Sequence, residues 1–410
     1  MAEIRSFKAY RPISDVAGRV AALPYDVYNR EEAETEVRKE PLSFLKIDRA
    51  ETSFSREVDT YDPVVYERAN ELLNEMITQG IFIQEQKPVY YIYELIMDGR
   101  HQTGLVACAS IDDYLNGIIK KHENTRADKE LDRINHVTNC RAHTGPIFLA
   151  YRAIELVDDI INRTKQGEKL YGFTASDGVT HNVWIIEDAA DIAAIKASFR
   201  DINDIYIADG HHRAASAVKA GLKQRELHPD YTGEEEFNYF LSVLFPHDQL
   251  MIMPYNRVVA DLAGHTEQEF MNMLAEKFMI ELKAESFAPA KPGQFGMYID
   301  GSWYCLTAHE GVIPDDVVGC LDVSVLQDNI LGPLLDIDDP RTNNRIQFVG
   351  GIRGVLELER MVDGGMRVAF SMYPTSITQL FDIADAGLLM PPKSTWFEPK
   401  LRSGLFIHKF

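Results

Sequence analysis

The chain has 410 residues, 45% of them hydrophobic, which is ample for a large buried core in roughly two or three domains. Its formal net charge of −21 opposes a general electrostatic attraction to DNA, RNA or anionic lipid, so local clusters of cations become informative. Four cysteines without a Cys-x-x-Cys pair, no apolar leader after Met1 and no run near the ~18 apolar residues of a bilayer span lead us to expect a cytoplasmic protein without disulfides.

Residues 1–85 read as a mixed N-terminal segment packing on a core. Tyr10-Arg11-Pro12 and Leu23-Pro24-Tyr25-Asp26 are extended or turn segments, because the residue before proline avoids the helical region. Pro63 to about Gln79 is a helix, with Val65, Leu72, Leu73 and Met76 on one side and Gly80 as its stop. Residues 86–260 make the expected core domain. A strand over 89–95 and its return over 103–111 flank the hairpin signal Asp98-Gly99. Helix 127–139, strand 147–152, helix 155–165, strand 182–187, helix 188–200 and strand 205–208 follow. The next helix runs to about Ala220, where Gly221 can end it, and 238–244 is a buried strand. The last region, 261–410, mixes helix 267–278, strands 297–308, 354–360 and 366–371, and helices near 322–331 and 375–386, with a tail returning to the core. The pattern lacks the regular beat of a barrel. It predicts an α+β or mixed α/β fold, with mixed sheets flanked by helices.

The most informative stretch is Asp209-Gly210-His211-His212-Arg213. It follows an apolar strand and precedes the helix-forming run Ala214 to Ala220, so it reads as strand, glycine turn, helix. A helix begun this way presents unpaired N–H groups and a positive dipole end, a poor place for Arg213 unless an anion sits there. Phosphate is the usual guest. Asp209 can hold a metal ion, orient an imidazole or take a proton, and His211 and His212 are candidate catalytic groups.

A second cluster lies at 120–143, with six Lys or Arg against four acids and three histidines. Within it His122-Glu123-Asn124-Thr125-Arg126 stands out, with Lys121 before it and Arg133 two turns on. Glu123 is a candidate base or magnesium ligand, Asn124 and Thr125 hydrogen-bonding groups, and Arg126 a phosphate clamp. The bland reading is a solvated helix laced with ion pairs. Lys393-Ser394, after Pro391-Pro392, forms a basic, hydroxylated turn that can close over phosphate or simply pack Trp396 and Phe397. Asp338-Asp339-Pro340-Arg341 is a polar turn of the same kind. No phosphate-binding Gly-x-x-x-x-Gly-Lys loop, dinucleotide fingerprint, protein-kinase signature or His-Glu-x-x-His is present.

The chain resembles, nearly end to end, a bacterial and archaeal family known as domain of unknown function 1015. The shared marks are Pro24-Tyr25-Asp26-Val27, His122 to Arg126, Asp209 to Arg213, Phe348-Val349-Gly350-Gly351 and Met390 to Thr395. In addition, Gly210-His211-His212-Arg213 is similar to the nucleotide-binding box of the ParB/sulfiredoxin superfamily. Glu123-Asn124-Thr125-Arg126 is similar to its Glu-Asn-x-x-Arg box, with one residue fewer before Arg and with the order of the two boxes reversed. His211 stands where a sulfiredoxin has cysteine, which argues against sulfinic-acid reduction. The resemblance implies a ParB/sulfiredoxin-like core and a nucleotide-phosphate ligand, as in partitioning CTPases and free-serine kinases.

The expected function is a nucleotide-dependent phosphotransferase or phosphohydrolase acting on a small metabolite, with free serine or phosphoserine in view. ATP, ADP or CTP with Mg2+ would be held by Gly210, Arg213, Arg126 and their neighbours. A non-catalytic nucleotide or metabolite sensor is the alternative. A ParB-like DNA-associated protein is a third reading, opposed by the charge.

Overall fold

The structure, a computed structural model, describes all 410 residues. They form two compact units, Met1–Leu250 with Pro399–Phe410, and Met251–Glu398. The first unit takes in the 1–85 segment and all but the last residues of the expected 86–260 core. No helix is long and apolar enough to cross a membrane.

The first unit is built on a nine-stranded mixed sheet. Its strands are β1 (Ile4–Arg5), β2 (Tyr90–Met97), β3 (Arg100–Ser110), β4 (Ile119–Lys120), β5 (Ile147–Tyr151), β6 (Tyr171–Thr174), β7 (Thr180–Ile186), β8 (Ile205–Asp209) and β9 (Tyr239–Pro246). The spatial order is β4-β8-β5-β9-β3-β2-β7-β6, with β1 against β3. β4 runs parallel to β8, and β5 to β9; the remaining pairs are antiparallel. Every residue of β5 and β9 is buried, as their almost wholly apolar sequences, broken only by Ser242, require of strands covered on both faces. Asp98 and Gly99 both take positive φ, which closes the β2–β3 hairpin as the sequence predicts.

Around this sheet lie α1 (Arg30–Lys39), α2 (Pro63–Thr78), α3 (Ala127–Cys140), α4 (Glu155–Thr164), α5 (Ala189–Arg200) and α6 (His211–Leu227). α2 starts where Asp62 accepts from the Val64 N–H and Pro63 fits the first turn. α3 packs against both α6 and α2. α6 passes through Gly221 instead of stopping at Ala220, and ends at Leu227. Gly221 is there for proximity: a Cβ would lie 2.5 Å from the Phe237 carbonyl. α1 was not anticipated, although its capping box, Asn29 with Glu32, is plain in the sequence.

The second unit holds a six-stranded antiparallel sheet of β10 (Tyr255–Val259), β11 (Phe278–Lys283), β12 (Gln294–Ile299), β13 (Ser302–Ala308), β14 (Ile346–Gly350) and β15 (Val368–Ser371), in the order β11-β13-β12-β15-β10-β14. Its helices are α7 (Glu267–Ala275), α8 (Asp322–Leu326), α9 (Leu356–Asp363) and α10 (Ile377–Asp385). Three expectations fail here. The predicted strand 297–308 breaks at Asp300-Gly301, both at positive φ, into the antiparallel pair β12 and β13. The predicted strand 354–360 is largely α9: the alternation Leu356-Glu357-Leu358-Glu359 mimics a strand, but Leu358 and Val362, four apart, are the buried pair. The predicted helix 267–278 stops at Ala275, and Phe278 opens β11, paired with Ala308.

Candidate functional site

β8 delivers the Asp209 turn. Pairing with β5 skips Ala208, so a bulge re-aims the strand end just before Asp209. Gly210 then turns at φ 92°, a conformation that favours glycine, and a Cβ there would meet Arg213 Nε at 2.9 Å. α6 begins without a side-chain cap, and its first intrahelical bond runs from the Ala214 N–H to the Gly210 carbonyl. The amides ahead of it are therefore presented at the positive helix end.

β4, alongside β8, carries the chain into the 121–126 loop. The His122 N–H donates to His211 Nε2 at 3.4 Å, and the Arg126 N–H donates to His212 Nε2 at 2.9 Å. Accepting at Nε2 puts the proton of each imidazole on Nδ1. His211 Nδ1 in turn faces Glu123 Oε2 at 3.9 Å. The rings of His122 and His211 meet edge to face at 4.5 Å. The two motifs thus share one surface, with both histidines of α6 holding the loop.

Arg213 Nη1 donates to the Pro146 carbonyl at 2.6 Å, while Nη2 lies 3.5 Å from Asp209 Oδ2. Lys400, from the C-terminal tail of this unit, also stands 3.5 Å from Asp209 Oδ2. Burial works against a charge on Asp209, but Lys400, Arg213 and His211 outweigh it and hold the carboxyl well below its usual range. Burial pushes His211 down to about 4, against the pull of Asp209. His122 is also pushed well below its usual value, by burial and by His211, and neither ring nitrogen of this fully buried side chain has a hydrogen-bond partner. Both rings are neutral at pH 7.

Arg213 also lines a cavity with Arg133, Tyr25, Asp48, His143 and Ser403. The Arg133 guanidinium sits 3.9 Å from the Tyr25 ring centre and pairs with Asp132 at 3.0 Å. Burial opposes its charge, but Asp132, Tyr25 and Asp48 raise its pKa all the same. Asp48 accepts from Thr144 Oγ1 at 2.9 Å, and His143 Nε2 is buried without a partner. Pro24-Tyr25 was legible as a mark of the chain. Asp48, Ser403 and Lys400 were not, since no local pattern announces them.

The Arg126 guanidinium, 66% exposed, is turned onto Asp128 at 2.9 Å. Lys121 and Asn124 are exposed, and Thr125 Oγ1 donates to Glu130 Oε2 at 3.1 Å. Lys393 and Ser394 belong to the second unit. There the Lys393 carbonyl accepts from Arg257 at 3.0 Å and Ser394 Oγ donates to the Pro391 carbonyl at 2.6 Å. Among the described residues no three His, Cys, Asp or Glu side chains cluster to hold a metal ion alone. A divalent cation at Glu123 or Asp209 would share its shell with phosphate oxygens and water, as Mg2+ commonly does.

The chain belongs to the DUF1015 family, described as a protein of unknown function, which it matches over residues 4–324. No curated protein matches it. Among solved structures it is similar to a free serine kinase in complex with AMP, at 15% identity and a TM-score of 0.36, covering 74% of this chain and 91% of that one. It is similar also to a conserved hypothetical protein from Pyrococcus furiosus, at 13% identity and a TM-score of 0.34, covering 74% and 94%. A third is SbnI with a C-terminal truncation from Staphylococcus aureus, at 10% identity and a TM-score of 0.39, covering 74% and 87%.

Proposed function

We propose that the chain is a nucleotide-dependent phosphotransferase, or a phosphohydrolase, acting on a small metabolite. The observation that carries this is the junction of the two cationic motifs: the 121–126 loop is bonded directly to the first turn of α6. Nucleotide phosphates seat at the positive N-terminal end of that turn, beside Arg213. Phosphoryl transfer needs mainly positioning and charge neutralisation, which such a turn supplies.

The two carboxylates take different roles. Asp209, held ionised by Lys400 and Arg213, is a poor base. It positions those two cations. Glu123 is the base, taking the proton of the acceptor hydroxyl, or of water in hydrolysis. His211 and His212 act as positioning residues, since their Nε2 atoms are spent on the loop backbone. Bound Mg2+ would supply neutralisation between the phosphates and Glu123. The metabolite is placed against Glu123, next to the phosphates. Serine and phosphoserine come first, because the two sequence boxes are similar to those of free-serine kinases.

Purified protein incubated with ATP, ADP or CTP, Mg2+ and an amino-acid panel tests this. A nucleotide-dependent thermal shift with product formation is expected. Neither shift nor turnover sinks the proposal. Binding without turnover, unchanged in Glu123→Gln, makes the protein a sensor instead.

A further inference from the structure

The second unit has a cavity of its own, of about 230 Å³, lined by Arg257, Gln327, Asp338, Phe348, Pro391 and Pro392 among others. Arg257, on β10, is 3% exposed, yet no carboxylate pairs with it among the described residues. Its Nη1 donates to the Tyr255 carbonyl and its Nη2 to the Lys393 carbonyl, and its guanidinium carbon stands 5.3 Å from the Phe348 ring centre. Burial lowers its pKa to about 10, with Tyr255 opposing. A desolvated guanidinium without a counter-ion is costly, and two neutral carbonyls offset only part of that. Of its five N–H donors, two are used in these bonds.

The surroundings are built to hold this charge in place. Ser394 Oγ bonds the Pro391 carbonyl and Thr375 Oγ1 bonds the Ser394 carbonyl, fixing the turn whose Lys393 carbonyl meets Arg257. Gly350 admits Trp396, which would be 2.6 Å from a Cβ there. Gln327 lies in a π-helical turn, Gln327–Leu331, and bonds the Ile337 carbonyl at 2.7 Å. π-turns inside helices are frequent at functional sites. Asp339 is taken by Arg341 at 2.9 Å, while Asp338 has no ion pair among the described residues.

We infer that this cavity binds a small α-amino acid, its carboxylate on the Arg257 fork and its ammonium on Asp338. Bidentate recognition of a planar carboxylate is what a fixed guanidinium does best. Asp338 favours a zwitterion over a dicarboxylate, and Phe348, Pro391 and Pro392 offer an apolar wall to its side chain. The site is separate from the phosphoryl-transfer proposal and does not depend on it.

Calorimetry on the full chain without nucleotide, against single amino acids, succinate and inorganic phosphate, tests this. At least one amino acid should bind. Arg257→Gln should abolish binding, and Asp338→Asn should weaken it roughly 10- to 100-fold, the loss of one charged hydrogen bond. If Arg257→Gln does not fold, the exposed Asp338→Asn still decides. No amino-acid binding at millimolar concentration, binding indifferent to both substitutions, or a preference for phosphate or succinate each overturns the inference.

Discussion

Two adjacent histidines at a helix start invite a catalytic reading, yet each gives its Nε2 to a backbone N–H of the facing loop. Under the proposed function, the group left to do proton transfer is Glu123. Glu123→Gln should therefore lower turnover by about 10²- to 10⁴-fold, the usual worth of a positioned base, with nucleotide binding little changed. Parallel kinetics and thermal shifts check this, and a large loss of nucleotide binding would count against the role. Buried imidazoles also set the acid response. His122, His136, His143, His181 and His211 are all pushed below their usual range by burial, His211 to about 4 and His181 to about 3. Their folded pKa values lie below the unfolded value of 6.5, so the unfolded chain takes up protons first. Their full stabilisation is present above pH 6.5 and is lost as pH falls through the folded values, about 4 for His211 and about 3 for His181. His211 alone forfeits on the order of 3 kcal/mol by pH 4. Denaturant midpoints should drop steadily over that window. A flat profile would show that these rings are not buried neutral.

At the scale of elements, two glycines in α6 and its approach do opposite things. Gly210 turns the chain with positive φ so that Asp209 and Arg213 lie on one side. Gly210→Ala should destabilise the fold by roughly 1–3 kcal/mol and displace Arg213, abolishing the nucleotide-induced shift. Gly221 lets α6 approach the Phe237 carbonyl. Gly221→Ala should likewise lose about 1–3 kcal/mol by crowding, while nucleotide affinity stays near that of the parent, since it lies three turns from the site. Denaturation and ligand titration of both variants separate the two roles. Local sequence misread Gly221 because a helix-ending glycine and a close-packing glycine look alike until the neighbour is known. It misread 354–360 for a related reason. Leu-Glu alternation fits a strand, and the four-residue spacing of Leu358 and Val362 wins only when one face is covered.

At the scale of the whole molecule, the second unit is inserted between Leu250 and Pro399. Its first and last strands, Ile252–Met253 and Trp396–Phe397, pair antiparallel, so the chain leaves and returns at adjacent points. The Asp209 turn, the 121–126 loop and Lys400 all belong to the first unit. A chain with 251–398 replaced by a short Gly/Ser link should fold and keep its nucleotide-dependent thermal shift. An unfolded product, or loss of the shift, would tie the site to the excised residues. The charge of −21 predicts no gel shift with duplex DNA at physiological salt. The sequence by itself determined the mixed α/β class, most elements of the first sheet, the strand–glycine–helix turn and the two cationic motifs. Each of these rests on local propensity, periodicity or turn chemistry. Only the tertiary structure decided that the loop backbone caps the two imidazoles, that Lys400 reaches Asp209 and that Arg257 is buried without an acid. Lys400 lies 191 residues from Asp209, and burial is a property of what packs around a side chain, not of its neighbours in sequence.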